Sequence, residues 1–350
     1  MARLRPLSRA ASLFTTPLAP EDFLSLVNPL ASARQLRGVV TQVTPETPTS
    51  ATIRFRPGKG WDPHEAGQWA RIGVEIDGVR QWRSYSLSAP AGADPAITVT
   101  AIGKVSGALV HDTELGDVLF LAPPQGDFVL PQHPRPLLML TAGSGLTPVM
   151  SMIRTLVPRR PDADVVLVHS SRTPEDTLFR EELLELADQF PGLRVHLWHT
   201  AERGRRLGLD TLADIEEVAP DWRDRAAYAC GPADFLDAAE ALWQREEADL
   251  LLERFAPVLL EGAGGEGGRV TFEKSDKEVD VDGETTILDA GEEAGIVMPS
   301  GCRMGICRSC LVPLVAGRLR DLRTGEVHGE EGELVQTCVN APAGPVHLEL

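Results

Sequence analysis

From about Gln35 to Leu130, short runs of apolar and alternating residues are repeatedly cut by Pro and Gly. The pattern predicts strands over Leu36–Val43, Thr49–Arg56, Trp69–Ile76, Val79–Leu87, Ile97–Ala101 and Val118–Leu121. Strands this close together, with a single short helical segment at about Gly107–Thr113, predict an antiparallel β-barrel. From Arg135 the rhythm changes. Apolar strands at Leu137–Thr141, Val165–His169, Leu193–Trp198, Ala226–Ala229 and Leu250–Phe255 alternate with helical patterns, clearest over Leu178–Gln189 and Ala233–Glu247. Such alternation predicts an α/β doubly wound parallel sheet with ligands at the C-terminal ends of its strands.

The stretch Glu261–Gly268, five of its eight residues glycine, reads as a flexible linker. Behind it stands a third module with strand-like segments at Arg269–Phe272, Val279–Asp282 and Thr286–Ala290. The predicted organisation is an extension (1–34), a barrel domain (35–133), an α/β domain (134–258), a linker (259–267) and a small C-terminal α+β domain (268–350). In the extension, Phe23, Leu26, Val27 and Leu30 fall on one helical face, which predicts a clasp on the body of the protein.

Composition narrows the classes. The 350 residues carry a net charge of −17, which argues against nucleic acid or an anionic membrane as the main partner. No apolar run suggests a transmembrane helix, so no transmembrane segment is expected. Arg3, Arg5 and Arg9 precede the first acid, Glu21, a pattern that reads as a disordered start more than as an organelle transit peptide. A cytoplasmic protein is expected.

Five cysteines do not make a disulfide scaffold, but four of them have a chemically specific spacing. Cys302, Cys307, Cys310 and Cys338 are spaced C-x4-C-x2-C-x27-C, the plant-type pattern for a 2Fe–2S cluster. Three thiolates on one tight loop and a fourth from afar can place two irons in tetrahedral sulfur. Gly301 and Gly305 let the loop wrap closely. A structural zinc site would favour two C-x2-4-C knuckles, and here the fourth cysteine stands alone. The module resembles plant-type ferredoxins, which implies a β-grasp fold and a one-electron carrier.

Four further motifs sit at element boundaries. Arg83-Ser84-Tyr85-Ser86 ends a barrel strand and offers a guanidinium fork for phosphate, a flat ring for an isoalloxazine, and a hydroxyl for a flavin nitrogen. Gly103-Lys-Val105-Ser106-Gly107 opens a helix, where exposed amides suit a diphosphate, although a plain N-cap at Ser106 reads equally well. Thr141-Ala-Gly143-Ser-Gly145-Leu146-Thr147-Pro148 is a Gly-rich turn after the first parallel strand, with Pro where a dehydrogenase would have its third Gly. Ala229-Cys230-Gly231-Pro232 ends the fourth, where Cys230 would lie beside a nicotinamide.

In this order the motifs resemble the ferredoxin–NADP reductase superfamily over about residues 35–258. The resemblance implies flavin binding by Arg83, Ser84, Tyr85, Ser86, Val105 and Ser106. It implies nicotinamide nucleotide binding by Gly143, Gly145, Leu146, Thr147, Cys230, Gly231 and Pro232. Ser86, Cys230 and Phe255 are the expected catalytic residues, Phe255 because Glu253-Arg-Phe255 resembles the segment that closes over the flavin–nicotinamide stack. Many NADPH-specific relatives end on an aromatic residue over the flavin, whereas this chain runs on into its ferredoxin module.

The order flavin, nucleotide, cluster resembles the reductase components of oxygenases and desaturases, and the N-terminal segment looks most like actinobacterial desaturase reductases. It implies electron flow from NADPH through FAD, in preference to FMN, and a 2Fe–2S cluster. The acceptor would be a separate protein, a fatty-acyl desaturase or an oxygenase component, which can be membrane-bound. A small-molecule acceptor and a redox-sensing regulator are the rival functions. Ser170-Ser171-Arg172 after the second parallel strand, with Arg180 eight residues on, offers donors to a 2′-phosphate where an NAD site would carry an acid. The ferredoxin module holds 15 acidic and 8 basic side chains, yet Arg303 and Arg308 lie in the cysteine loop itself, which predicts salt-dependent docking of the partner there.

Overall fold

The computed structural model describes residues 28, 30, 35–76, 78–255, 265–301, 303–305 and 308–350. The predicted N-terminal clasp falls almost wholly outside these residues, as do Cys302, Cys307 and much of the linker. The chain divides into two compact units, Met1–Val74 with Tyr85–Glu253, and Glu75–Ser84 with Arg254–Leu350.

The strands β1 (Arg37–Thr47), β2 (Ser50–Pro57), β3 (Trp69–Ile76), β4 (Val79–Ser86), β5 (Ala96–Thr100) and β6 (Val118–Leu121) form one sheet in the order β4-β3-β6-β1-β2-β5. An antiparallel bridge from Leu87 to Ile97 links its two edges, so the sheet closes as the alternating pattern predicted. The helix α1 spans Lys104–His111 and begins three residues before the expected start. Gly103 is its N-cap, and Ser106, at the third helical position, accepts the Gly103 amide at 2.9 Å. Ser106 is therefore the returning half of a capping box and not the cap.

The α/β part has a five-stranded parallel sheet in the order β11-β10-β7-β8-β9. Its strands are β7 (Leu137–Ala142), β8 (Val165–Ser171), β9 (Leu193–His199), β10 (Ala226–Cys230) and β11 (Leu250–Glu253). Every residue of β7 and β8 is buried, as expected of strands covered by helices on both faces. The covering helices are α2 (Leu146–Arg159), α3 (Arg180–Gln189), α4 (Thr200–Arg203), α5 (Ala213–Val218) and α6 (Ala233–Arg245). Buried Leu236, Ala239, Leu242 and Trp243 give α6 its apolar stripe.

Polar groups join the barrel to this sheet. Ser151 Oγ donates to the Ala89 carbonyl at 2.6 Å, and Arg154 Nη1 donates to the Ser88 carbonyl at 2.6 Å. Tyr228 OH donates to the Val129 carbonyl at 2.9 Å. At the N-terminal edge of the sheet, buried Arg225 is held by Asp164 and Asp221 at 2.8 and 2.7 Å.

The ferredoxin module forms a mixed sheet, β13-β12-β17-β14-β15, with β16 on β14. Its strands are β12 (Gly268–Phe272), β13 (Lys277–Val281), β14 (Leu311–Asp321), β15 (Val327–His328), β16 (Leu334–Gln336) and β17 (Asn340–Leu348). Thr286–Ala290, expected as a strand, instead opens the helix α7 (Ile287–Glu293). The reason is local: Thr286 Oγ1 accepts the Asp289 amide at 3.1 Å, so Thr-x-x-Asp caps a helix despite its β-branched start. No helix among the described residues is long and apolar enough to cross a membrane.

Candidate functional site

Strand register builds the site at the C-terminal edge of the parallel sheet. Cys230 on β10 pairs with Glu253 on β11 and with Thr141 on β7, and Thr141 pairs with His169 on β8. Four strand ends therefore present Glu253, Cys230, Thr141 and His169 as one row. Adjacent positions across a sheet share a face, so these side chains form a continuous polar line.

The barrel meets that row through Ser86, whose hydroxyl donates to Glu253 Oε2 at 3.2 Å. Glu253 is 8% exposed, and burial pushes its carboxyl up to about 8 against the lowering pull of Ser86. Burial, with the charge of Glu253 beside it, also drives the Cys230 thiol well above its ordinary range. His169, fully enclosed, is held down to about 3 by burial and then by His199. The row is uncharged near neutral pH. Thr141 Oγ1 and His169 Nδ1 lie 2.9 Å apart, while His169 Nε2 is buried with no partner.

The Gly-rich turn lies beside this row. A Cβ on Gly145 would sit 2.1 Å from the Cys230 carbonyl, so only glycine lets the turn after β7 meet the end of β10. In front of Gly143 the space is open to 4 Å. Leu146 and Thr147 are buried, and the Thr147 hydroxyl donates to the Ser144 carbonyl at 3.0 Å, closing the turn. Gly231 packs against Ala142 and Phe235, and Pro232 caps α6. Ser171 bonds Thr177 at 2.7 Å, and Thr177 reaches His199 at 3.2 Å. Arg172 and Arg180 are exposed at the end of β8 and the start of α3.

On β4 the side chains of the Arg-Ser-Tyr-Ser motif alternate. Arg83 Nη1 donates to the Trp82 carbonyl at 2.8 Å and its Nη2 lies 4.0 Å from Glu292, while Tyr85 is half-buried. The Ser84 hydroxyl is buried with no hydrogen-bond partner, an orphan that a bound flavin would satisfy. Val105 is buried on α1. The residues fit a flavin at the barrel and a dinucleotide at the Gly-rich turn. Phe255 is 42% exposed, two residues beyond Glu253. The side chain from this segment that touches Ser86 is thus Glu253, which the sequence reading passed over. An acid ending the apolar run Leu250-Leu-Leu-Glu253 was the available signal.

In the ferredoxin module, Cys310 Sγ and Cys338 Sγ lie 3.2 Å apart. A disulfide needs about 2.05 Å, so the two are not disulfide-bonded, and they bring two sulfurs side by side. Cys302 and Cys307 belong to the same loop but lie outside the described residues. Arg303, Gly305 and Arg308 around them all have positive φ, of 59°, 72° and 56°, the tight backbone the spacing implied. Thr337 Oγ1 donates to the Cys310 carbonyl at 3.1 Å, and the Leu288 amide donates to the Thr337 carbonyl at 3.0 Å, so α7 braces both cysteines. Of the two arginines expected to face a partner, Arg303 is tied to Asp289 at 2.8 Å and to Glu292, whereas Arg308 is exposed.

Comparison with known proteins agrees with this geometry. The family described as the oxidoreductase NAD-binding domain matches residues 139–241, and the 2Fe-2S iron-sulfur cluster binding domain matches residues 270–343. The NADPH oxidoreductase of Mycobacterium tuberculosis is 48% identical over 355 residues, covering 98% of this chain and 92% of that protein. The glycine betaine monooxygenase reductase subunit of Chromohalobacter salexigens is 27% identical over 319 residues, covering 81% and 86%. Phthalate dioxygenase reductase, described as a modular structure for electron transfer from pyridine nucleotides to 2Fe–2S, shares the fold with a TM-score of 0.64. It is 21% identical and covers 91% of this chain and 98% of its own. The chain is an oxidoreductase that belongs to the ferredoxin–NADP reductase superfamily, in the group carrying a C-terminal 2Fe–2S ferredoxin domain.

Proposed function

We propose that this chain takes hydride from NADPH at the Ser86–Glu253–Cys230 site and delivers single electrons to a separate iron enzyme, a fatty-acyl desaturase or an oxygenase. The observation that carries the proposal is the hydrogen bond between Ser86 and buried Glu253, next in register to Cys230. Bound FAD would accept electrons in pairs and release them singly, and a 2Fe–2S cluster would carry them one at a time. Arg83, Ser84, Tyr85, Ser86, Val105 and Ser106 would hold the flavin. Gly143, Gly145, Leu146, Thr147, Gly231 and Pro232 would hold the nucleotide, and Cys302, Cys307, Cys310 and Cys338 the cluster.

The chain's own groups have definable tasks. Glu253, protonated at neutral pH, stores a proton at its carboxyl, and Ser86 is its hydrogen-bonded outlet toward the barrel. The fully buried Cys230 thiol stays neutral and adds no charge to the site. NADPH is favoured over NADH by Arg172 and Arg180, exposed beside Ser171, where a charge-assisted contact to a phosphate contributes about 1.5–3 kcal/mol. The 48% identical NADPH oxidoreductase and the monooxygenase reductase subunit support the nucleotide and the class of acceptor respectively. Reduction of a small molecule would not need the ferredoxin module.

The test is kcat/KM for NADPH and NADH in the wild type and in Arg172→Ala, with a candidate desaturase or oxygenase as acceptor. The proposal expects a preference for NADPH of at least about tenfold that shrinks in the variant. Equal use of both nucleotides, or an acceptor protein reduced no faster than by flavin alone, would count against it.

A further inference from the structure

One cation in the ferredoxin module stands apart from the ion pairs of the surface. Arg323 follows β14 and is fastened to Asp321 by three contacts: its amide and Nε donate to Oδ1 at 2.8 and 3.0 Å, and Nη2 donates to Oδ2 at 2.6 Å. Its remaining nitrogen, Nη1, reaches the cysteine loop, 3.4 Å from the Gly305 carbonyl. Gln336, two residues before Cys338, donates to that same carbonyl at 2.8 Å. The approach is close: a Cβ on Gly305 would lie 2.3 Å from Arg323 Nη1. Gly305, with φ of 72°, sits between Cys302 and Cys307, so the guanidinium touches the middle of the loop.

The ion pair is also oriented. Hydrogen bonds and the charge of Asp321 keep the Arg323 guanidinium protonated. Burial opposes ionisation of Asp321, but Arg323 and, more weakly, His328 hold its carboxyl below the usual range. Of the pair, it is the guanidinium that reaches the cysteine loop, through Nη1 at Gly305, while Asp321 holds Nε and Nη2. Asp321 is 14% exposed and Arg323 33%, so solvent screens the pair only in part.

We propose that Arg323 is a positioning and charge-tuning residue of the 2Fe–2S centre, clamping the loop through Gly305 and raising the centre's reduction potential. Reduction adds one electron and thus one negative charge, which a fixed guanidinium nearby stabilises. Asp321 sets the rotamer and moderates the effect. The sign of each contribution follows from charge: removing the cation lowers the potential, and removing the anion raises it.

The inference rests on the cluster being held by Cys302, Cys307, Cys310 and Cys338, so iron and acid-labile sulfide are measured first in the full-length wild type, which tests that reading separately. Arg323→Gln, Arg323→Lys and Asp321→Asn are then titrated with redox mediators, following the EPR signal of the reduced cluster. Arg323→Gln should shift the reduction equilibrium at least about tenfold toward the oxidised form, or 59 mV for a one-electron couple. Arg323→Lys, which keeps the charge, should recover most of that shift, and Asp321→Asn should move the equilibrium the opposite way. An unmoved potential in Arg323→Gln, or a loss in Arg323→Lys as large as in Arg323→Gln, would overturn the charge role. Should Arg323→Gln fail to assemble a cluster, Asp321→Asn decides: an unchanged or lowered potential there defeats the proposal.

Discussion

At the C-terminal edge of the parallel sheet, Glu253, Cys230, Thr141 and His169 form a buried row that is uncharged near neutral pH. Around the ferredoxin loop, Arg303 pairs with Asp289 and Glu292, and Arg323 pairs with Asp321. The two regions answer different electrostatic demands. Hydride carries its electron pair and its proton together, so a site that handles it gains from dry, neutral surroundings in which no buried ion must be compensated. A one-electron centre changes charge at every turnover, and fixed cations beside it stabilise the reduced state. Under the proposed electron path, burial would set the tuning in one region and ion pairs in the other.

The comparison breaks first where the two ends are separated by mutation. Cys310→Ser or Cys338→Ser should abolish the cluster and reduce electron delivery to a partner protein to background, while NADPH still bleaches the flavin. Visible and EPR spectra check the first part and anaerobic mixing the second. Ser86→Ala should do the reverse. It strips Glu253 of its hydrogen bond, and flavin reduction is expected to slow by about a hundredfold, with cluster content unchanged.

Smaller effects sharpen the contrast through pH and salt. Glu253 has a folded value of about 8 against an ordinary 4.5, so between these pH values the folded chain binds a proton that the unfolded chain has lost. Stability therefore falls as pH rises through that window, by at most about 1.4 kcal/mol per unit. Glu253→Gln should flatten the slope, as urea midpoints measured from pH 5 to 8 would reveal; an unchanged slope assigns the dependence elsewhere. Arg303→Gln should cost about 1 kcal/mol or less at low salt. That cost should fade toward 1 M salt, where charges are screened beyond about 3 Å. The neutral row should show no such salt dependence.

How much of this was legible in the sequence differs between the same two regions. Thiolate spacing has few alternative uses, so the four cysteines identified the cluster module, and the tight backbone at Arg303, Gly305 and Arg308 agrees with it. Alternating strand and helix patterns disclosed the parallel sheet, and Ala-Cys-Gly-Pro placed Cys230 at a strand end. Glu253 was harder. Its position depends on the register between β10 and β11, set by pairing of Ala227 with Leu250, and no local pattern announces that alignment. The aromatic Phe255 drew attention instead. Thr286–Ala290 was misread because β-branched residues suggest a strand, while the capping contact of Asp289 outweighs that preference. No local pattern marks Arg323, because its reach to Gly305 spans a fold and not a motif.

In the proposed path, hydride enters at the Ser86–Glu253–Cys230 site and electrons leave singly through the cysteine loop. Anaerobic rapid mixing of NADPH with full-length wild type and with Cys338→Ser, following flavin and cluster absorbance separately, tests it most directly. The account predicts flavin bleaching at equal rates in both proteins, followed by cluster bleaching in the wild type alone. Loss of flavin bleaching in Cys338→Ser, or cluster bleaching that precedes the flavin in the wild type, would contradict it.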